Sequence, residues 1–393
     1  MNRERGLRGI APVGVLFLVN AAMWTSIGPR LADVAERIGV TEGALGLALT
    51  LQAVGLIAAT FVSPWLVRRF GLRRVAVVSA VAYCLATMLP GFAGTWTMLA
   101  AACLVSGFAN GPYDLSMNLL ATDLEERTKR TLMPRFEVWF NVGLLGSTLA
   151  ATAAADFIGV AQHLAIVGVA GALAILALAR RLPDAAASVS DEPSLREAVR
   201  SIPRTDRWRV AALSAVAAVG LWAELMIPDW SSLLFAQEFD ATGSARGYGA
   251  VLFTSGLLIS LWITGRLTDR FGARRLVLAG AVLFGVAMVG LALAPSIPVA
   301  CALLFVAGAG IAPTHPLAIS EAGAMAAKTV VLPVVMMSGY VGLSVQRPVN
   351  GVLAEAFTLS TALTISSIVV LAIVLLCVGA FSAKPRSGEE TSQ

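Results

Sequence analysis

Charge is what this chain has least of. Only 13% of its 393 residues are Asp, Glu, Lys or Arg, about half of the roughly 25% found in soluble proteins. The 57% that are hydrophobic cannot all be hidden inside one water-facing fold, so the solvent for most of the chain is lipid. Histidine is scarce, and the four cysteines, Cys84, Cys103, Cys301 and Cys377, all fall inside apolar runs. They read as buried single thiols, since none has metal-ligand spacing. No Gly-x-x-x-x-Gly-Lys-Ser/Thr loop is present, so ATP is not the expected energy source. Nor is there a serine nucleophile elbow or a His-Glu-x-x-His helix, so neither an enzyme nor a bound cofactor is expected. Aromatic residues make up only 7% of the chain, which argues against a pocket for large greasy compounds.

What the chain has is apolar runs of about 20 residues, the length that crosses a bilayer. They fall near 9–29, 43–66, 73–92, 96–121, 133–156, 161–180, 209–235, 247–267, 275–294, 297–320, 331–353 and 359–382, which makes twelve. The longest polar stretch, 181–208, reads as a cytoplasmic linker between bundles at 1–180 and 209–393. Within it Asp191–Glu197 can start a short surface helix. Arg3, Arg5 and Arg8 precede the first run as in a signal peptide, but no cleavage site follows, so the run is read as a retained helix. With a cytoplasmic N-terminus, all of the 29 Lys and Arg except Arg30, Arg37, Arg246 and Arg347 lie on the cytoplasmic side. The positive-inside rule therefore puts both termini there. The pI near 9.3 reflects this placement and not affinity for nucleic acid.

One stretch occurs twice. Leu66-Val67-Arg68-Arg69-Phe70-Gly71-Leu72-Arg73-Arg74 returns 201 residues later as Leu267-Thr268-Asp269-Arg270-Phe271-Gly272-Ala273-Arg274-Arg275. At the same offset Gly107, Pro112 and Asp114 meet Gly308, Pro313 and His315. A basic, glycine-containing loop repeated between apolar runs implies two copies of one membrane-embedded half. Parallel halves around a cavity are the architecture of a secondary transporter.

The second copy, with Gly265 and Arg266 before it, resembles the signature loop of the major facilitator superfamily, Gly-x-Leu-x-Asp-Arg-x-Gly-Arg-Arg. The first departs from it, with Pro64 for the glycine and Arg68 for the aspartate. The resemblance implies an all-α membrane protein, twelve transmembrane helices in two pseudo-symmetric six-helix bundles. Further segments are similar to a bacterial subgroup that includes rhizopine-linked membrane proteins: Leu45–Leu49, Asp114–Asn118, Glu224 with Asp229-Trp230-Ser231, and Gly339–Gly342. Ile27 and Gln346-Arg347-Pro348 depart from the subgroup at pocket positions, so its substrates do not carry over.

In such a loop Asp269 is expected to gate. It can face the amino end of the fifth helix, near Met133-Pro134, where free N–H groups and the helix dipole favour negative charge. Gly71 and Gly272 permit the tight turns. Arg73, Arg74, Arg270, Arg274 and Arg275 set topology and pair with carboxylates or lipid phosphates.

An ionisable side chain inside a span costs at least ~2.5 kcal/mol on insertion scales, so each is a functional candidate. Asp114, Glu137, Glu224, Asp229 and His315 are the candidates for proton coupling. Pro228 is expected to break the seventh helix between Glu224 and Asp229. Arg347 needs a partner, either Glu224 or Asp229, or else a substrate anion. Asn20, Trp24, Gln52, Asn118, Asn141, Trp230, Gln346, Arg347 and Asn350 are the candidate substrate contacts, amides and rings suited to polyols or amines. His163, near the outer loop after the fifth span, is expected to be inert. The chain thus reads as a monomeric, proton-coupled transporter of a small polar molecule in a bacterial inner membrane, working by alternating access. Efflux of drugs or secondary metabolites, and a sensor on the same fold, are the alternatives.

Overall fold

The computed structural model describes residues 2–184, 202–325 and 328–381, and the candidate surface helix at Asp191–Glu197 lies outside them. The first six crossings are α1 (Asn2–Thr25), α3 (Glu42–Phe70), α4 (Leu72–Ala86), α6 (Trp96–Thr128), α7 (Met133–Ala154) and α8 (Val160–Leu178), with short helices α2 (Leu31–Ile38) and α5 (Leu89–Phe92) between them. The second six are α9 (Arg207–Glu238), α10 (Tyr248–Phe271), α11 (Ala273–Ala292), α12 (Ile297–Ile311) with α13 (Thr314–Gly323), α14 (Lys328–Ala356) and α15 (Leu359–Cys377). Ten of the crossings are long and apolar enough by composition alone to span a membrane. The two that fall short are α6 and α7, which carry Asn110, Asp114 and Asn118, and Glu137 and Asn141.

The chain divides into two compact units, residues 1–190 with 241–248, and residues 191–240 with 249–393. In each unit the helices start and stop for local reasons. Side chains of Thr41, Thr95 and Thr358 accept N–H groups at the starts of α3, α6 and α15, as good N-caps do. Gly71 and Gly272 end α3 and α10 at φ 85° and 82°, a conformation that L side chains rarely adopt. The next helix therefore starts at once.

The internal repeat reappears as packing. A Cβ on Gly55 or Gly107 would strike the carbonyl oxygens of Leu104 and Gln52, which holds α3 and α6 in direct backbone contact. In the second unit Gly256 and Gly308 bear the same relation to Phe305 and Phe253, each 201 residues further on. Lipid-facing positions repeat too: Phe61 and Trp262, again 201 apart, are 80% and 74% exposed. Small residues let helices approach where lipid supplies no hydrophobic drive for them to associate. The core of the first unit lies between α1, α4, α6 and α7, where Phe17 stacks on Phe136 at 5.3 Å and the Tyr113 hydroxyl donates to Leu16 O at 2.6 Å.

One expectation about helix breaks is corrected. α9 runs unbroken through Pro228. Proline only deprives the Glu224 carbonyl of its helical partner, and helices inside a bundle tolerate that. The tenth crossing is the one that breaks, at Ala312-Pro313, between α12 and α13.

The glycine contacts predict a stability order. Gly107→Ala and Gly308→Ala each force a Cβ into a carbonyl and are expected to cost about 1–3 kcal/mol. Gly146→Ala meets nothing within 4 Å and should leave the melting temperature unchanged or slightly raised. Thermal unfolding of the detergent-purified variants, monitored by fluorescence, decides it; equal behaviour of all three would refute the packing argument.

Candidate functional site

In the second unit the polar residues converge on Asp229. Arg347 donates from Nε to Asp229 Oδ2 at 2.9 Å and from Nη2 to Oδ1 at 3.3 Å, and Gln346 Nε2 donates to Oδ2 at 2.6 Å. The arginine side chain is 3% exposed and the aspartate 16%. From there the chain of bonds leaves the pair: Asn350 donates to Gln346 Oε1 at 3.0 Å, and the Ser366 hydroxyl of α15 donates to Asn350. Gln346 and Asn350, both fully buried, thus orient the ion pair through hydrogen bonds inside the protein. Of the two partners weighed for Arg347, the structure selects Asp229.

Glu224 stands apart. Its Oε1 is buried and has no hydrogen-bond partner among the described residues. One turn earlier on α9, Gly220 faces His315, and a Cβ there would come within 3.0 Å of the histidine backbone N. On the other side a Cβ on Gly339 of α14 would lie 3.0 Å from His315 Nε2. His315 is thus seated in glycine gaps on two helices, just past the Pro313 break. Trp230 is fully buried, with its indole N–H unpartnered among the described residues.

In the first unit Asn20 of α1 donates to Asn110 of α6 at 2.8 Å, both side chains buried. Asn118 donates to the Asp114 backbone carbonyl at 2.9 Å, one turn back on α6. Asp114 is half-buried on α6, and Glu137 is exposed on α7. Neither carboxyl has an ion pair among the described residues. Asn141 lies half-buried one turn beyond Glu137; Trp24 and Gln52 are half-buried on α1 and α3. His163 lies near the outer loop as expected, in the first turn of α8; it is 3% exposed, and neither ring nitrogen has a partner among the described residues.

The loop residues divide. Arg73 is held within its unit, donating to Ala179 O at 2.9 Å and to Asp184 at 3.1 Å. Arg74, Asp269, Arg270, Arg274 and Arg275 are all exposed. Asp269 occupies the last turn of α10, where the helix dipole disfavours a carboxylate.

Three features escaped the sequence reading. Glu125 Oε1 accepts the backbone N–H groups of Leu132 and Met133, the latter at 2.8 Å, so the amino end of α7 is satisfied within its own unit. Arg246, in the 241–248 segment of the first unit, meets Asp33 at 2.8 Å and Glu36 at 2.7 Å. In the same segment Ser244 N donates to Asp156 Oδ1 at 2.8 Å. That backbone N–H, with the Ser244 side chain, holds the Asp156 carboxyl below the usual carboxylate range. The available signal was the three-residue spacing of Asp33 and Glu36 on one face of α2.

Two units built on one repeated packing scheme, with charged groups buried in their interiors, define a helical membrane transporter. The family description "Major Facilitator Superfamily" matches residues 13–233, more than half of the chain, and the chain belongs to that family. Over 389 residues it is 26% identical to the membrane protein MosC of Rhizobium meliloti, covering 97% of this chain and 91% of that one. An uncharacterised MFS-type transporter of Yersinia pestis is 25% identical over 342 residues, 85% of this chain and 86% of that one. Among solved structures, the nucleoside transporter NupG superimposes with a TM-score of 0.76 at 12% identity, over 95% of this chain and 99% of that one. A bacterial homologue of the human lysosomal transporter Spinster gives 0.75 at 14% identity, over 94% and 95%. At such identities the two structures speak for the fold alone.

The ion pair and the Asp156 contact each yield a prediction. Asp229→Asn or Arg347→Gln alone leaves a buried charge uncompensated and should cost about 3–5 kcal/mol. The double variant should recover most of that, read as melting temperature and monodisperse yield; a double variant no better than the singles would refute the pairing. A depressed carboxylate pKa means that the Asp156–Ser244 contact holds above the usual carboxylate range and is lost as pH falls through the lowered value. The protection factor of the Ser244 amide, its exchange relative to the intrinsic rate at each pH, should therefore be held at about pH 5 and above and be lost only below the usual carboxylate range.

Proposed function

We propose that this transporter moves a small polar substrate, hydroxyl-rich or amine-bearing, and couples its movement to protons. The observation that carries the reading is Glu224, a half-buried residue whose buried Oε1 has no hydrogen-bond partner among the described residues, on the same helix as Asp229, which already neutralises Arg347. A lone carboxylate away from water is costly, and either a proton or a cationic substrate group removes that cost. Because Arg347 is paired, the uncommitted charges are carboxyls: Glu224 here, Asp114 and Glu137 in the first unit. Such a set favours amines and polyols over organic anions.

The same reading puts the protein in a bacterial cytoplasmic membrane as a monomer with both termini on the cytoplasmic side, which the distribution of Lys and Arg supports. Asp114 and His315 are further proton-carrying candidates. Asn20, Trp24, Gln52, Asn118, Asn141 and Trp230 are candidate contacts for the substrate, and the loop residues around Asp269 are candidates for gating.

The test is a ligand panel of polyols, inositol amines, sugars, organic acids and cationic drugs, followed by reconstitution. A ligand bound only by the folded state raises the melting temperature by mass action, and polyols or amines are expected to do so. In proteoliposomes an inward proton gradient should then drive accumulation of that ligand. Glu224→Gln should lower this accumulation at least tenfold while keeping the thermal shift. Undiminished gradient-driven accumulation by the variant would remove Glu224 from the coupling step. Protection by organic acids alone would overturn the substrate class, and protection by bulky cations alone would favour efflux.

A further inference from the structure

On the lipid side of the first unit, α3, α4 and α6 enclose an apolar groove of about 790 Å³. Ala58, Leu66, Val78, Ala82, Val105 and Phe108 are among its walls, and Arg74 is the one ionisable residue lining it. The groove ends beside a second hollow of about 570 Å³, which contains Arg73, Arg74 and Arg180 together with Asp184. Phe70, Arg74 and Val78 line both, so the apolar channel continues past Arg74 into a basic cup.

The charges in the cup do not balance. Asp184 is taken by Arg73 at 3.1 Å, while Arg74 and Arg180 have no ion pair among the described residues. α4 begins at Leu72, and its first turn carries Arg73 and Arg74 with no acidic residue. Two cations at the positive end of a helix dipole repel it unless an anion lies between them. The loop copy in the second unit carries Asp269 where this one has Arg68. The first loop is therefore wholly cationic, through Arg68, Arg69, Arg73 and Arg74.

From the continuity of groove and cup, we infer that this is a binding site for an anionic phospholipid. One acyl chain lies in the α3–α4–α6 groove, and the phosphate head group is held by Arg74 and Arg180. An acyl chain gains no hydrophobic free energy by passing from bilayer to groove, since both are apolar. Selectivity must therefore come from the head group, where guanidinium groups bind phosphate bidentately. The leaflet is the one bearing the Gly71 loop, which is cytoplasmic in the orientation proposed above. Lipid binding itself depends on neither that orientation nor the transport reading.

Thermal unfolding of the full-length protein in detergent, with phosphatidylglycerol, phosphatidylcholine or inorganic phosphate added, tests the site. Phosphatidylglycerol is expected to raise the melting temperature by several degrees, and phosphatidylcholine and phosphate are not. Arg74→Gln with Arg180→Gln removes the cup and should abolish the shift. Ala82→Trp fills the groove from an exposed position, keeps both arginines and should abolish it too. Native mass spectrometry should show one retained phosphatidylglycerol on the wild type and none on either variant. Equal shifts with phosphatidylcholine, or shifts that survive in both variants, would overturn the inference. A full shift with inorganic phosphate would do so as well, by assigning the cup to a soluble anion.

Discussion

The constraint on which the rest of this structure depends is the lack of water in hydrocarbon. Every backbone N–H and C=O must be satisfied by the protein itself, which leaves helices as the usable element for this chain. The same constraint reaches the helix ends, where Thr41, Thr95, Thr358 and Glu125 supply acceptors for the first-turn N–H groups. It also governs how helices meet. With no hydrophobic drive for one apolar helix to leave lipid for another, association rests on close backbone contact, and Gly107 and Gly308 provide it against the carbonyls of Gln52 and Phe253.

Polar side chains inside the units follow the same rule in two ways. Some are engaged by protein partners: Asn20 by Asn110, and the Asp229, Arg347, Gln346, Asn350 and Ser366 series that runs from α9 through α14 to α15. Others are left with capacity, namely the half-buried Glu224 and Asp114. The engaged groups explain why the interior keeps one geometry. The others carry a free-energy cost that only a proton, a substrate or open water relieves, and a transporter can use that cost to drive a change of state.

Much of the fold was legible in the sequence because hydropathy and repetition are local signals. Apolar run length placed the twelve crossings, and the 201-residue offset placed the matched loops. The site was legible only as a set of expensive residues. Composition marked Arg347 as needing a partner, yet the choice of Asp229 over Glu224 depends on the relative rotation of α9 and α14, which no spacing along one helix reveals. Pro228 misled because a proline in a membrane helix removes one hydrogen bond without ending the helix, whereas Ala312-Pro313 does separate two. Glu125 and the Arg246 cluster were missed because their partners come from tertiary packing: a carboxylate turned back onto α7, and the 241–248 segment, distant in sequence from the Asp33 and Glu36 that it meets within the first unit.

A repeated chain permits one more step, because each half is a control for the other. Where the two copies agree, geometry explains the residue: Gly71 and Gly272 for positive φ, Gly55 and Gly256 for helix contact. Where they disagree, packing gives no reason for the change. Gly143 meets the Leu18 carbonyl as Gly342 meets that of Ala218, which aligns α1 with α9 and α7 with α14. In that register Glu224 stands opposite Trp24, Asp229 opposite Pro29 and Arg347 opposite Thr148. Likewise Asp114 answers to His315 and Arg68 to Asp269. The fold needs none of these charges, since its other half is built without them in the same place. On the function proposed above, their cost in the membrane is borne for chemistry that differs between the two units.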